Sequence, residues 1–221
     1  MRHINEFFQK LFAGAIDARN LKEELRKQRI ADEGENTTTE RFFGQIVDGP
    51  AFVAPKRIAA GPSYFTTDQM LRYQNRADWQ FTHSDIQRFA AYLVEALRRR
   101  NIPMYVHTAY RTKKEQDAAF RRGVSNLQWP RAAHCQGMAV DIVHARYHWE
   151  LTKQEWALIG KIGKDIAKKL NIPIEWGGDW QRPWDPAHWQ LEYWDQGTPS
   201  MYEDGEPIRH TARKLLSMHR I

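Results

Sequence analysis

Two short segments of the chain alternate apolar and polar residues, and each carries a possible metal ligand on its polar side. In residues 138–143 every second residue is apolar, which leaves Asp141 on the opposite face of the predicted strand. Residues 188–194 alternate in the same way, with His188 on the polar face. The apolar residues of the two strands are Met138, Val140, Ile142, Trp189, Leu191 and Tyr193.

Three amphipathic helices are predicted from apolar periodicity, and each begins with a capping-box pattern. The paired capping positions are Thr82 with Asp85, Thr112 with Glu115, and Thr152 with Glu155. We expect these helices to end near Arg100, at Gly123 and before Pro173, and we expect a further strand at residues 104–110. Helices segregated from short strands indicate an α+β fold, a small antiparallel sheet flanked by helices.

The sequence separation of His134 and Asp141, two candidate ligands of one ion, is the strongest constraint on the fold. Seven residues of straight strand would separate them by about 23 Å, far more than two ligands of one ion allow. The chain must therefore bend between them, and Gly137 supplies the conformational freedom. The spacing predicts that His134 reaches in from a loop and Asp141 from the strand.

A catalytic zinc ion usually takes three protein ligands and leaves its fourth position to water. His134, Asp141 and His188 satisfy this pattern, which predicts one zinc ion on the polar face of the sheet. Asp185 precedes His188 by three residues, and Pro186 disfavours a helix at that point. We therefore expect Asp185 in a turn beside the metal rather than among its ligands.

These residues resemble a known family. The segments His134-Cys-Gln-Gly-Met-Ala-Val-Asp141 and Asp185-Pro-Ala-His188-Trp189 are similar to the His-x-x-Gly-x-Ala-x-Asp and Asp/Glu-x-x-His motifs of zinc D-Ala-D-Ala and L-alanyl-D-glutamate peptidases. The order and spacing agree over about residues 80 to 195. An upstream block is also similar, comprising Tyr110, Arg111, Thr112, Glu115, Gln116, Phe120, Gly123 and Ser125.

The resemblance implies that His134, Asp141 and His188 bind zinc, that Asp185 is the general base, and that Arg111 holds substrate or the developing oxyanion. It implies hydrolysis of peptidoglycan stem peptides, with the L-alanyl-D-glutamate endopeptidase of a phage endolysin as the leading hypothesis. A D,D-carboxypeptidase that removes terminal D-Ala is the near alternative. A noncatalytic zinc-binding module and a virion or envelope component are alternatives of other classes. Ala132 departs from the family, which usually has Ser there, and this leaves substrate specificity open.

Several residues near these motifs have simpler interpretations. Cys135 adjoins a ligand, but a single sulfur without a paired base is interpreted as a small packed hydrophobe. His107, His144 and His148 occupy no motif position and are interpreted as surface or core histidines. Core packing is favoured over a substrate groove for the tryptophans at alternating positions of the set Trp176, Trp180, Trp184, Trp189 and Trp194.

The remainder of the chain is less informative. Residues 1–60 are predicted to form an N-terminal extension, with amphipathic helices at residues 4–30 and a polar linker at 31–41, and residues 61–221 to form the peptidase domain. No signal peptide or membrane span is recognised, so we expect synthesis in the cytoplasm and action on the cell wall after release. The net charge of +6 suits an anionic wall. We expect a monomer and no nucleic-acid partner.

Overall fold

A four-stranded antiparallel sheet organises the part of the chain that a computed structural model describes, residues 54–195 and the short strands at 202–203 and 206–207. The strands are β1 (Met104–Thr108), β2 (Ala139–His144), β3 (Ile174–Trp176) and β4 (His188–Leu191), in the spatial order β1-β2-β4-β3. Two further strands, β5 (Tyr202–Glu203) and β6 (Glu206–Pro207), pair only with each other. The sequence placed the two ligand-bearing strands, β2 and β4, and the structure makes them neighbours.

Four α-helices lie within the described residues: α1 (Asp68–Gln74), α2 (Ser84–Arg99), α3 (Lys113–Arg121) and α4 (Lys153–Leu170). The capping boxes predicted at Thr112 and Thr152 are both present, with reciprocal bonds to Glu115 and Glu155. Gly123 follows α3 with φ +68°, as predicted for the residue that closes a helix. Local chemistry therefore sets the start of α3 and α4.

The hydrophobic core lies between the helices and one face of the sheet. Trp189 of β4 is fully buried there, stacked on Trp176 of β3 and in contact with Phe89 of α2. The indoles approach α4 at Gly160 and Gly163, where an added Cβ atom would overlap the Trp176 and Trp189 rings respectively. The α+β fold with a small antiparallel sheet is confirmed, and the buried face leaves the other face of the sheet for polar residues.

Some predicted details are wrong. Helix α2 begins at Ser84, and its cap is His83, whose Nδ1 accepts from the Asp85 amide at 3.2 Å. Thr82 does not cap it, because its hydroxyl donates to the Asp78 carbonyl in the preceding loop.

Two strands are shorter than predicted. Strand β1 ends at Thr108, since the Tyr110 amide donates to the Asp78 carbonyl in a loop rather than to a neighbouring strand. Strand β4 ends at Leu191, because the Glu192 amide donates to Pro173 and Trp194 closes a turn onto Leu191. Backbone bonds to distant loops thus override the alternation in the sequence.

The predicted N-terminal helices and linker, residues 4–30 and 31–41, lie outside the described residues. The boundary between residues 60 and 61 stays a prediction. Ile58 is fully buried in the core, and its carbonyl accepts from the His144 ring at 3.0 Å. Residues 54–60 therefore pack against the same core as the sheet.

Candidate metal centre

His134, Asp141 and His188 come together on the polar face of the sheet. Their ligand atoms all lie within 4.8 Å of one another, and all three residues are buried. His134 Nε2 and His188 Nδ1 each lie 3.1 Å from Asp141 Oδ1. The three side chains singled out from the sequence thus converge on one point.

His134 is delivered by a tight turn rather than by a strand. It lies in the 3₁₀ segment Ala133–Gln136, which ends at Gly137 with φ +67°. A Cβ atom at position 137 would overlap the Phe81 carbonyl oxygen, so this left-handed turn is also closely packed. The predicted bend at Gly137 is confirmed.

Asp141 and His188 are brought together by strand register. They are direct partners in the antiparallel pairing of β2 with β4, so both side chains project from the same face at neighbouring positions. Their chain neighbours Val140 and Trp189 are also partners and project into the core. One register therefore places the core and the ligands on opposite faces.

The hydrogen bonds of the histidines determine which nitrogen faces the carboxylate. His134 Nδ1 lies 2.7 Å from the Ala109 carbonyl, which can only accept, so this nitrogen carries the proton. In neutral His134 the Nε2 lone pair then points at Asp141 Oδ1. The lone pairs of His134 Nε2 and Asp141 Oδ1 would repel each other, and a cation bound between the two atoms would remove this repulsion.

The electrostatics of the cluster agree with this reading. Burial lowers the pKa of His134, against the pull of Asp141, and so favours its neutral form. Burial alone would raise the pKa of the Asp141 carboxyl, but His134 and His188 hold it well below its usual range. Burial also opposes charge on His188, but hydrogen bonds and attraction to Asp141 raise its pKa. Asp141 is therefore ionised.

The donor set fits zinc. Two imidazole nitrogens and one carboxylate oxygen match the ligand chemistry of catalytic zinc sites. Zinc bonds of about 2.0–2.2 Å in a tetrahedron separate neighbouring ligand atoms by about 3.3–3.6 Å, a few tenths of an ångström more than the two observed spacings of 3.1 Å. The group could hold a metal ion without large movement of His134, Asp141 or His188.

Arg111 lies at the edge of this cluster. Its Nη2 is 3.5 Å from Asp141 Oδ2, and its Nη1 donates to Gln116 Oε1 at 2.9 Å. The Arg111 amide donates to the His134 carbonyl, which ties the arginine to the turn that carries the ligand. The side chain is 15% exposed, so its positive charge is directed at the site rather than into bulk water.

Asp185 lies in the loop before β4, as expected. Its amide donates to Gly177 at 3.1 Å, its carbonyl accepts from the His188 amide, and Trp176 Nε1 donates to the adjacent Pro186 carbonyl. Burial, followed by repulsion from Asp141, raises the pKa of the Asp185 carboxyl. The Asp185 carboxyl therefore interacts electrostatically with Asp141 and His188, although it is not one of the three convergent groups.

Other residues near the motifs serve packing. Cys135 is fully buried, and burial raises the pKa of its thiol to about 12, which confirms the interpretation as a packed hydrophobe. Trp176 and Trp189 are core residues, whereas Trp184 is 44% exposed. Ala132 is buried and gives no side-chain cap to the turn that carries His134.

Two polar residues that the sequence analysis did not single out lie behind His188. Gln190 Oε1 lies 2.9 Å from His188 Nε2 and can only accept from it, and Gln190 Nε2 donates to Glu175 Oε2 at 2.6 Å. The position of Gln190 two residues after His188 was a usable signal, since both lie on one strand face. Glu175 gave no such signal, because β3 has only three residues.

Comparison with known proteins finds a matching family model and similar proteins. The family model described as phage L-alanyl-D-glutamate peptidase matches residues 72–197, a range that is more than half of the chain and within which the five candidate residues lie. An L-alanyl-D-glutamate peptidase of Listeria phage A118 is 33% identical over 100 residues. That match covers 44% of this chain and 33% of the relative, so the chain spans about a third of the relative's length.

A solved structure is also similar, that of the L-Ala D-Glu endopeptidase ChiX of Serratia marcescens. The two are 27% identical with a TM-score of 0.46, and the alignment covers 57% of this chain and 93% of that one. Among the described residues, no helix is long and apolar enough to cross a membrane.

Proposed function

Because the chain belongs to the phage L-alanyl-D-glutamate peptidase family, we propose that it is a zinc-dependent endopeptidase that hydrolyses the L-alanyl-D-glutamate bond of peptidoglycan stem peptides. The observation that carries the proposal is the convergence of His134 Nε2 and His188 Nδ1 on one oxygen of Asp141. We propose these three residues as the ligands of one zinc ion, with Asp185 and Arg111 as catalytic residues.

Zinc, when bound, supplies a coordinated water with a pKa of about 7 and polarises a peptide carbonyl. The Asp185 carboxylate accepts a proton from the attacking water and returns it to the amine of the leaving D-glutamate as the C–N bond breaks. The raised pKa of Asp185 suits this exchange, because a carboxylate whose pKa is raised holds the accepted proton more readily until it is returned.

Arg111 supplies a positive charge beside Asp141. Its guanidinium lies 3.5 Å from Asp141 and is held by Gln116, so it is preorganised before substrate arrives. A fixed cation beside the scissile carbonyl stabilises the oxygen that becomes negative as water adds. Arg111 thus acts on the substrate oxygen, and Asp185 acts on the proton.

The cell wall is the proposed site of action. The net charge of +6 attracts the protein to an anionic wall. All five proposed site residues belong to one chain, so a monomer carries the whole site.

Digestion of purified muropeptides tests the proposal. With zinc present, mass spectrometry is expected to detect muramyl-L-alanine and a free peptide that begins with D-glutamate, and a chelator is expected to abolish both products. Release of single D-Ala residues would instead support a D,D-carboxypeptidase. Unchanged muropeptides with zinc present would contradict both activities and favour a noncatalytic zinc-binding module.

A further inference from the structure

The two histidines of the metal centre are held from behind by different means. The outer nitrogen of His134 meets a backbone carbonyl, that of Ala109. The outer nitrogen of His188 meets the side chain of Gln190 at 2.9 Å. A side chain, unlike a backbone carbonyl, has an orientation that something else must fix.

Glu175 fixes the orientation of Gln190. Gln190 Nε2 lies 2.6 Å from Glu175 Oε2, and a carboxylate only accepts hydrogen bonds, so the amide NH₂ faces Glu175. The amide oxygen therefore faces His188, and His188 Nε2 must be the protonated nitrogen. In neutral His188 the lone pair of Nδ1 then points to Asp141, where a metal ligand has to present it.

Trp180 closes this chain of contacts. Its Nε1 donates to the second oxygen of Glu175 at 2.7 Å, and its ring packs against the His188 ring with centroids 5.3 Å apart. Glu175 and Gln190 are also direct partners in the pairing of β3 with β4. His188, Gln190, Glu175 and Trp180 thus form a closed network, called here the Glu175 network.

We propose that Gln190 and Glu175 are positioning residues that hold His188 in the tautomer and orientation of a zinc ligand, a role that rests on the metal site proposed above. Gln190 is 6% exposed, so water does not readily replace its amide. Loss of such outer hydrogen bonds typically weakens metal binding about 10–100-fold. The Glu175 network acts on the metal through His188.

Zinc affinity, measured by competition with a chromophoric chelator, tests the role of Gln190. The Gln190→Leu variant is expected to bind zinc about 10–100-fold more weakly than the unaltered protein, because nothing then fixes the His188 tautomer. Gln87→Leu is the matched control. Gln87 is a partly buried glutamine of α2 whose amide donates to the Thr82 carbonyl in the loop before that helix, so its loss is expected to leave zinc affinity unchanged.

Variants that exchange the Gln190 amide and the Glu175 carboxylate test whether these residues orient His188 or only fill space. In Glu175→Gln, two donors compete for one amide oxygen, so Gln190 is free to turn its NH₂ toward His188. In Gln190→Glu, two carboxylates face each other at hydrogen-bonding distance. The double variant restores every bond, because Glu at 190 accepts from His188 and from the new amide, whose oxygen accepts from Trp180. We expect each single variant to bind zinc more weakly and the double variant to recover the affinity.

The outcomes are distinguishable. Failure of the unaltered protein to bind zinc would overturn the proposed metal site itself. Tight binding by the unaltered protein together with equal binding by Gln190→Leu would overturn the role of the network and leave the metal site intact. The double variant could instead bind zinc weakly and also have a lower unfolding free energy in the presence of chelator. That result would show that the network contributes only packing, and it would also overturn the proposal.

Discussion

The two faces of the β2–β4 pair are built from alternate residues of the same strands, yet they are stabilised in different ways. On the apolar face Trp189 is held by shape, between Phe89 and the close approach at Gly163. On the polar face Asp141 and His188 are held by directed bonds between specific atoms. Because packing and directed bonding tolerate different changes, damage to one face should be separable from damage to the other.

The largest expected effect is the loss of activity without loss of zinc binding when Asp185 is replaced. Asp185→Ala removes the proposed base but no ligand, so zinc binding is expected to persist while kcat/KM on muropeptides falls about 10²–10⁴-fold. His188→Ala removes a ligand and is expected to lose both zinc and activity. Zinc content by atomic emission and product formation by mass spectrometry measure the two effects. Equal zinc loss in both variants would contradict the separate roles of base and ligand.

Gly137 is the position where the two kinds of stabilisation meet. Gly137→Ala forces a side chain onto a left-handed backbone and into the Phe81 carbonyl, at an expected cost of about 2–5 kcal/mol in unfolding free energy. Because the same turn carries His134, zinc affinity is expected to fall as well. Denaturant unfolding and zinc titration measure the two losses.

Gly123 supplies the matched control. Its φ of +68° is nearly the same as that of Gly137, but an added Cβ atom would meet nothing within 4 Å. Gly123→Ala is therefore expected to cost only the backbone strain, about 1–2 kcal/mol, with zinc affinity unchanged. Equal effects of the two variants would show that the close contact at Gly137 does not matter.

Gly163→Ala is expected to damage the apolar face alone. Helix propensity by itself predicts stabilisation by about 1 kcal/mol, whereas overlap with the buried Trp189 ring predicts destabilisation by about 1–3 kcal/mol. We expect overlap to prevail, because the ring is fully buried against Phe89 and Trp176. Denaturant unfolding gives the sign, and a more stable variant would contradict the packing argument. Zinc affinity is expected to stay within about twofold, because Asp141 and His188 project from the other face.

The sequence was most informative where local chemistry decides the structure. The capping boxes at Thr112 and Thr152 and the bend at Gly137 each depend on a few adjacent residues. The alternation in β2 and β4 was sufficient to separate ligands from core. Local signals of this kind also predicted that His134, Asp141 and His188 would converge.

What the sequence did not predict depends on contacts between distant segments. His83 caps α2 because Thr82 bonds to a preceding loop, and no local pattern distinguishes these two possibilities. Strand β3 is too short to show alternation, so the pairing of Glu175 with Gln190 was not predictable. The roles of Arg111 and Asp185 came from resemblance, and they stay predictions until the variants are measured.

The smallest expected effect concerns His144, a polar residue in the buried part of β2. Its Nε2 lies 3.0 Å from the Ile58 carbonyl, and its Nδ1 accepts from the Arg146 and Tyr147 amides. Burial lowers the pKa of His144, although the bond to Ile58 opposes this. The folded protein therefore binds this proton less readily than the unfolded chain, whose histidine pKa is about 6.5. The unfolding free energy should fall as the pH drops below about 6.5.

His144→Gln is expected to make this pH dependence shallower while lowering stability near pH 7.5, where two amides lose their acceptor. The slopes should differ by less than about 1.4 kcal/mol per pH unit, the limit for one proton. Denaturant unfolding between pH 7.5 and 5.5, with chelator present so that metal release does not contribute, measures both slopes. The slope that persists in the variant is assigned to other histidines, such as the half-buried His107, whose pKa is lowered by burial to about 4. Identical slopes in the unaltered protein and the variant would mean that the proton affinity of His144 does not change on folding. The hydrogen bonds of His144 on the apolar face would then differ from those around Asp141, which do change proton affinity.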